Sequence, residues 1–300
     1  MHLLTMYNAR LYRYAVFLAC CTLVLVVAGG LVTSNDAGLS VPDWPLSYGQ
    51  LMPPMVGGVL YEHGHRMVAT AVGILTIGLV LYLAFEERRR WLKRLGLVAL
   101  ALVIVQGVLG GLTVLYKLPK PVSVSHACAA ELFFVLTVAI ALFTSRSWMA
   151  GPRPVTDAGS PSLFTLAVLA SVALLVQTAL GAAARHQAMG VVSHIGFAAV
   201  ATGIVLWAAL SVLLRHSGHP ELRRSALTLL VLVFFQVFLG IAAYMSRVIT
   251  AQAPRPMPVM VSFTVAHVAV GALTLAAAAV LALELRYNAR REHISLAKAA

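Results

Sequence analysis

The stretch Gln106–His126, QGVLGGLTVLYKLPKPVSVSH, closes one apolar run, turns through a short basic connector and opens the next run with a histidine. Its skeleton recurs. Gln177-Thr-Ala-Leu180-Gly181 precedes His194, and Gln236-Val-Phe-Leu239-Gly240 precedes His267. The first apolar run keeps only the glycines, Gly29-Gly30, ahead of His65. One unit, an apolar run followed by a run that starts near a histidine, is therefore written four times.

Counting outward from these units gives eight apolar stretches, near 14–33, 60–85, 95–115, 123–145, 162–184, 190–214, 223–246 and 259–285. Each is long enough to cross a hydrocarbon core, which takes about 20 residues. The composition agrees. Of 300 residues, 60% are hydrophobic and 11% charged, with a mean hydropathy of +0.89. A soluble domain carries roughly a quarter charged residues, so lipid must be the solvent for most of this surface. The expected fold class is all-α integral membrane, with two tandem four-helix bundles over 1–150 and 151–300. Parallel repeats of this kind are related by a pseudo-two-fold axis along the membrane normal.

A net charge of +12 could signal nucleic acid, but the charges sit in short clusters between apolar runs. No basic face with interleaved aromatics is present, so no nucleic-acid partner is expected. Sixteen of the 22 Lys and Arg residues fall in the N-terminus, the C-terminus and the connectors after the second, fourth and sixth runs. The positive-inside rule then places both termini in the cytoplasm, and an even number of spans puts them on one side as well. The first run has the length of a full span and no A-x-A-like cleavage signal directly after it, so it reads as a retained helix. The lack of an Arg-rich, Ser-rich transit extension favours a bacterial plasma membrane. Cys20, Cys21 and Cys128 all lie inside apolar runs, so neither a loop disulfide nor a zinc site is expected.

His65, His126, His194 and His267 each fall in the first turns of an even-numbered run, on the outer side. An ionisable group inside a span is costly and marks function by default. A structural zinc site would gather all four into one tetrahedron, usually with thiolates. One histidine per unit gives two pairs instead, and paired neutral imidazoles suit haem iron. Position i+4 from each is small (Ala69, Ala130, Ala198, Gly271), where a porphyrin plane needs clearance and where ordinary helix packing also favours small residues. His2, His216, His219 and His293 fall in cytoplasmic segments and His186 in an outer loop. His63 sits two residues from His65 and points away from it on a helix.

Glu62 stands one turn before His65, and no glutamate stands at the matching place before the other three histidines. It either caps its helix or exchanges protons beside an iron. Arg66 either pairs with haem propionates or anchors its helix at the interface. The asymmetry suggests one pair for chemistry and one for a retained cofactor. Glu131, five residues after His126, lies off the ligand face, with an interhelical contact or a proton role equally open. The loop 34–58, with Trp44 among Pro42, Pro45, Pro53 and Pro54, is expected to be an ordered cap over the bundle.

These residues resemble the haem A synthase family over the whole chain in helix count, repeat and histidine placement. The most specific parts are Ala37-Gly38-Leu39-Ser40, Asp43-Trp44-Pro45, Pro53-Pro54 and Glu62-x-x-His65-Arg66. The resemblance implies oxidation of the C8 methyl of haem O to a formyl group, giving haem A for terminal oxidases. It implies a permanent haem b in the C-terminal half, between His194 and His267. The N-terminal half would then hold the substrate haem near His65 and His126, with Glu62 needed for turnover. Haem O synthase, terminal oxidase assembly and a second copy of the chain are the partners it suggests. Many bacterial members carry a cysteine pair in an outer loop, and this chain has none. The rival readings are a di-haem b cytochrome that only transfers electrons, and a transporter. The second wants broken helices and midplane polar groups, whereas only Gln106, Gln177 and Gln236 lie deep here.

Overall fold

The structure, a computed structural model, describes residues 7–157, 159–254 and 256–290; His2, Arg255 and His293 lie outside them. In chain order its helices are α1 (Ala9–Ser34), α2 (Gly58–Glu86), α3 (Arg90–Leu115), α4 (Lys120–Thr144), α5 (Arg146–Met149), α6 (Leu163–Arg185), α7 (Val191–His216), α8 (Pro220–Ile249) and α9 (Pro258–Asn288). All but the four-residue α5 are long and apolar enough to cross a membrane. The chain is an all-α, multi-pass membrane protein.

Several helices begin earlier than the apolar runs do. Helix α1 starts five residues before the expected position 14, α3 five before 95 and α8 three before 223. The added turns of α1 and α3 carry Arg10 and Arg13, and Arg90, Lys93 and Arg94, while that of α8 is Pro220-Glu221-Leu222. Arg and Lys are good helix formers whose long stems let the charge reach water, so hydropathy falls while the helix continues. Caps then fix the starts. The Asn8 side-chain oxygen accepts from Arg10 N and Leu11 N, both at 3.1 Å. His219 Nδ1 accepts from Leu222 N at 3.3 Å, with Pro220 opening α8.

Helix α1 packs on α2 and α4, and α3 on α2 and α4; helices α6 to α9 repeat this arrangement among themselves. Contacts between the two sets run through α1 with α9, α4 with α6, and α4 with α9. Half of the apolar stretch of both α4 and α9 is buried, against 11–33% for the other six spans, so these two helices form the centre. Phe134 of α4 and Ala272 and Ala276 of α9 are buried there against Leu23 and Val26 of α1. The remaining helices present Leu, Val, Ile and Phe outward, as lipid requires.

The connector between the two sets is tied to the end of α9. Tyr287 Oη donates to Trp148 O at 2.8 Å, and the two rings stack with centroids 3.9 Å apart. Arg153 N donates to Asn288 Oδ1 at 2.8 Å. The strand β1 (Val155–Thr156) runs parallel to β2 (Ala289–Arg290). Asp157 then receives Leu163 N and Phe164 N at 3.0 and 3.3 Å, capping α6.

Candidate functional site

All four histidines lie at one end of the bundle, each against the glycine predicted to precede it. A Cβ built on Gly29 would lie 3.2 Å from His65 Cε1, and one on Gly110 3.3 Å from His126 Cε1. On Gly181 and Gly240 it would lie 2.9 Å from the Cε1 of His194 and His267, respectively. His194 Nδ1 donates to Gln177 O and His267 Nδ1 to Gln236 O, both at 3.2 Å. In the other half, Leu25 O faces His65 and Gln106 O faces His126. There the geometry is looser, and both Nδ1 atoms are buried without a formed partner among the described residues.

The His194 and His267 rings stand 6.2 Å apart, centroid to centroid, at 86°. A metal atom bonded to each ring at about 2.0–2.1 Å, with roughly 1.1 Å from nitrogen to ring centre, spaces coaxial imidazoles about 6.3 Å apart. That spacing would let both rings bind one metal ion. With the proton held at Nδ1 by a backbone carbonyl, Nε2 keeps its lone pair for a metal. In this structure the Gln236 amide nitrogen lies 3.5 Å from His267 Nε2. The same nitrogen is 3.0 Å from where a Cβ on Gly271 would be, so the small residue there makes room for the Gln236 side chain. Gln177 Nε2 donates to His194 O at 2.9 Å.

His65 and His126 are neighbours across the other half, and here the surroundings differ. Glu62, 4% exposed, accepts from Val41 N at 2.9 Å through Oε2 and from Arg66 Nη2 at 2.8 Å through Oε1. Arg66 Nη1 also donates to Asp43 O at 2.8 Å, Leu46 O at 2.7 Å and Ser47 Oγ at 3.3 Å. The guanidinium read as a propionate partner or a lipid anchor thus holds the 35–57 loop through Nη1 and pairs with Glu62 of its own helix through Nη2. His63, set aside in the sequence, is buried with Nδ1 2.8 Å from Ser47 Oγ. The loop is an ordered cap. Trp44 lies over Gly111, where a Cβ would come within 2.7 Å of its ring. Asp43 receives Tyr48 N and Gly49 N at 2.7 and 2.8 Å. The Gly49 amide above all holds the Asp43 carboxyl below the usual range.

The sequence model of a family described as cytochrome oxidase assembly protein matches residues 12–57 and 58–195, more than half of the chain. The chain belongs to this family. The match takes in the cap loop, Glu62, His65, Arg66, His126 and His194, while His267 lies beyond it. A haem A synthase of Symbiobacterium thermophilum is 30% identical over 169 residues, 55% of this chain and 55% of the relative. One of Exiguobacterium sibiricum is 31% identical over 124 residues, 40% and 41% of the two chains. One of Methylobacterium sp. is 31% identical over 148 residues, 43% and 40%. The matches span between about two fifths and just over half the length of these relatives.

In this cytochrome oxidase assembly family member, three polar groups near the site were not assigned by sequence. His186 caps the end of α6 and lies near His126; burial, then Arg185, keep its imidazole below the ordinary value. The Lys120 ammonium donates to Gln187 O at 2.6 Å, closing α4 against that turn. Glu131 is buried, 7% exposed, with Oε2 unpartnered among the described residues. The only signal that could have found His186 was its place four residues before Gly190, which precedes α7, and such a place has no chemical specificity.

Proposed function

We propose that the chain is a haem A synthase, oxidising the C8 methyl of haem O to a formyl group by successive hydroxylations. The observation that carries this reading is the inequality of two otherwise matching histidine pairs. Both pairs sit on glycines at one end of the bundle, but only one has a buried carboxylate and an ordered cap beside it. At the place of Glu62 the other units have Ser123, Val191 and Thr264. The family match, and relatives named haem A synthase, point to the same reaction.

His194 and His267 hold a permanent haem b, which supplies one-electron redox chemistry to the substrate half. His65 and His126 bind the substrate haem. The cap loop excludes lipid and water from the reacting edge, pinned by Arg66 and by Val41 on Glu62. Glu62 exchanges protons at its carboxylate, the group placed one turn from His65. The contacts among α1–α4 and among α6–α9 support two tandem four-helix halves, 1–150 and 151–300, related by an axis along the membrane normal. The placement of Lys and Arg supports cytoplasmic termini, with both haem sites at the outer ends.

The halves are tested by haem content. His194→Ala or His267→Ala should remove haem b from the purified protein. His65→Ala or His126→Ala should keep haem b and stop haem A formation. Equal loss of haem b from all four variants would overturn the division of roles.

A further inference from the structure

The repeated glycines are not spaced for helix contact. Around the built Cβ of Gly29, Gly110, Gly181 and Gly240, all three nearest atoms belong to one imidazole, and Cε1 is nearest each time. Gly107, Gly196 and Gly203, on the same or neighbouring helices, face nothing within 4 Å among the described residues. The partner carbonyl is also repeated. It bonds Nδ1 at residues 177 and 236, and the equivalent carbonyls of residues 25 and 106 face rings whose Nδ1 has no formed partner among the described residues, in each case four positions before the glycine.

That offset has a physical reason. In an α-helix the carbonyl of residue i−4 bonds the N–H of residue i and keeps a second lone pair. A side chain at i stands beside that oxygen and shields it from a neighbouring helix. Glycine leaves it open. We infer that each of these glycines exposes a helix carbonyl as the acceptor for Nδ1 of the next helix's histidine, and so positions the iron-binding imidazole. This accounts for α1, which has Leu25 where the other units have glutamine. The backbone oxygen is the acceptor, so the side chain at that position is free to change while the glycine is not. The glutamine amides do other work, as Gln177 on His194 O illustrates.

The inference rests on the proposed haem sites, and its test separates the two. The full chain is purified from cells making haem O, as wild type, Gly181→Ala, Gly240→Ala, Gly29→Ala and Gly196→Ala. Bound haems are extracted and counted, and the low-spin electron paramagnetic resonance spectrum and midpoint potential of haem b are recorded. A Cβ at 181 or 240 would meet the ring at 2.9 Å and must displace it, whereas 3.2 Å at Gly29 needs a smaller movement. Removing a group that orients a metal ligand typically weakens binding about 10–100-fold. Gly181→Ala and Gly240→Ala should therefore retain about tenfold less haem b, and whatever remains should show a shifted spectrum and potential. Gly29→Ala should leave haem b as in wild type and weaken only the substrate haem. Gly196→Ala should change neither. Haem b of wild-type amount and spectrum in Gly181→Ala overturns the inference, as does loss from both halves in any single variant. Wild-type protein without haem b removes the underlying reading, and the inference with it.

Discussion

Glu62 Oε1 lies 2.8 Å from Arg66 Nη2, one turn along α2, and the same guanidinium holds the backbone of the 35–57 loop at Asp43 and Leu46. The carboxylate of the proposed chemistry and the cap over it are thus one hydrogen-bonded unit. Glu62→Ala should leave haem b bound and stop conversion of haem O. It should also loosen the loop by about 2 kcal/mol, since Val41 N loses its acceptor and Arg66 loses one of several. Glu62→Gln keeps an oxygen for Val41 but turns its NH2 toward Arg66 Nη2, so it should restore the loop in part without restoring turnover. Protease sensitivity and haem A output, measured on both variants, check this; normal haem A output from Glu62→Ala would sink the catalytic role.

The cap should open in acid. Asp43 has its carboxyl lowered by the loop amides, so it favours the folded loop above its unfolded value and stops doing so as pH falls through the lower, folded value. The ordinary aspartate value is about 3.9. Proteolysis of the loop in detergent should be flat from neutral pH to about 5 and accelerate below about 4. Asp43→Asn should be cleaved faster at neutral pH and lose this dependence.

Gly111→Ala would put a Cβ within 2.7 Å of the Trp44 ring. Crowding of this kind costs about 1–3 kcal/mol where the neighbours cannot move. Trp44 is partly exposed, so its ring should swing away and carry the loop with it. Haem b content should stay unchanged while haem A output falls, and tryptophan fluorescence should shift toward that of a solvated ring.

The three cysteines are free, and all lie in α1 or α4. No outer-loop cysteine pair exists to relay electrons or hand over substrate. A variant with Cys20, Cys21 and Cys128 all replaced by Ala should keep its haem A output, and thiol reductants should not alter it. Substitutions away from special features usually cost within about 0.5 kcal/mol. A thiol-dependent output would show that one of these cysteines takes part.

The eight helices were legible because membrane spans are long and their apolar runs uninterrupted. The misplaced starts at Ala9 and Arg90 came from reading the end of hydropathy as the end of the helix. The four histidines were legible through their repeat. What held them was not: a backbone carbonyl leaves no mark in sequence, and the repeat that contains Gly29 and Gly181 gave no role to those glycines until His65 and His194 were seen against them. Arg66 was singled out, but its partners other than Glu62 lie 19 to 23 residues away in a loop with no period. His63 was set aside because it faces away from His65; that same direction brings it to Ser47.

The most direct test of the account is the set of haems carried by the protein itself. The chain is expressed in cells that make haem O, purified, and its haems extracted and resolved by chromatography. The account predicts haem b together with haem O or haem A on the same protein, with haem A appearing in the cells. Haem b alone, with no haem A formed, would contradict it and leave a di-haem cytochrome that only transfers electrons.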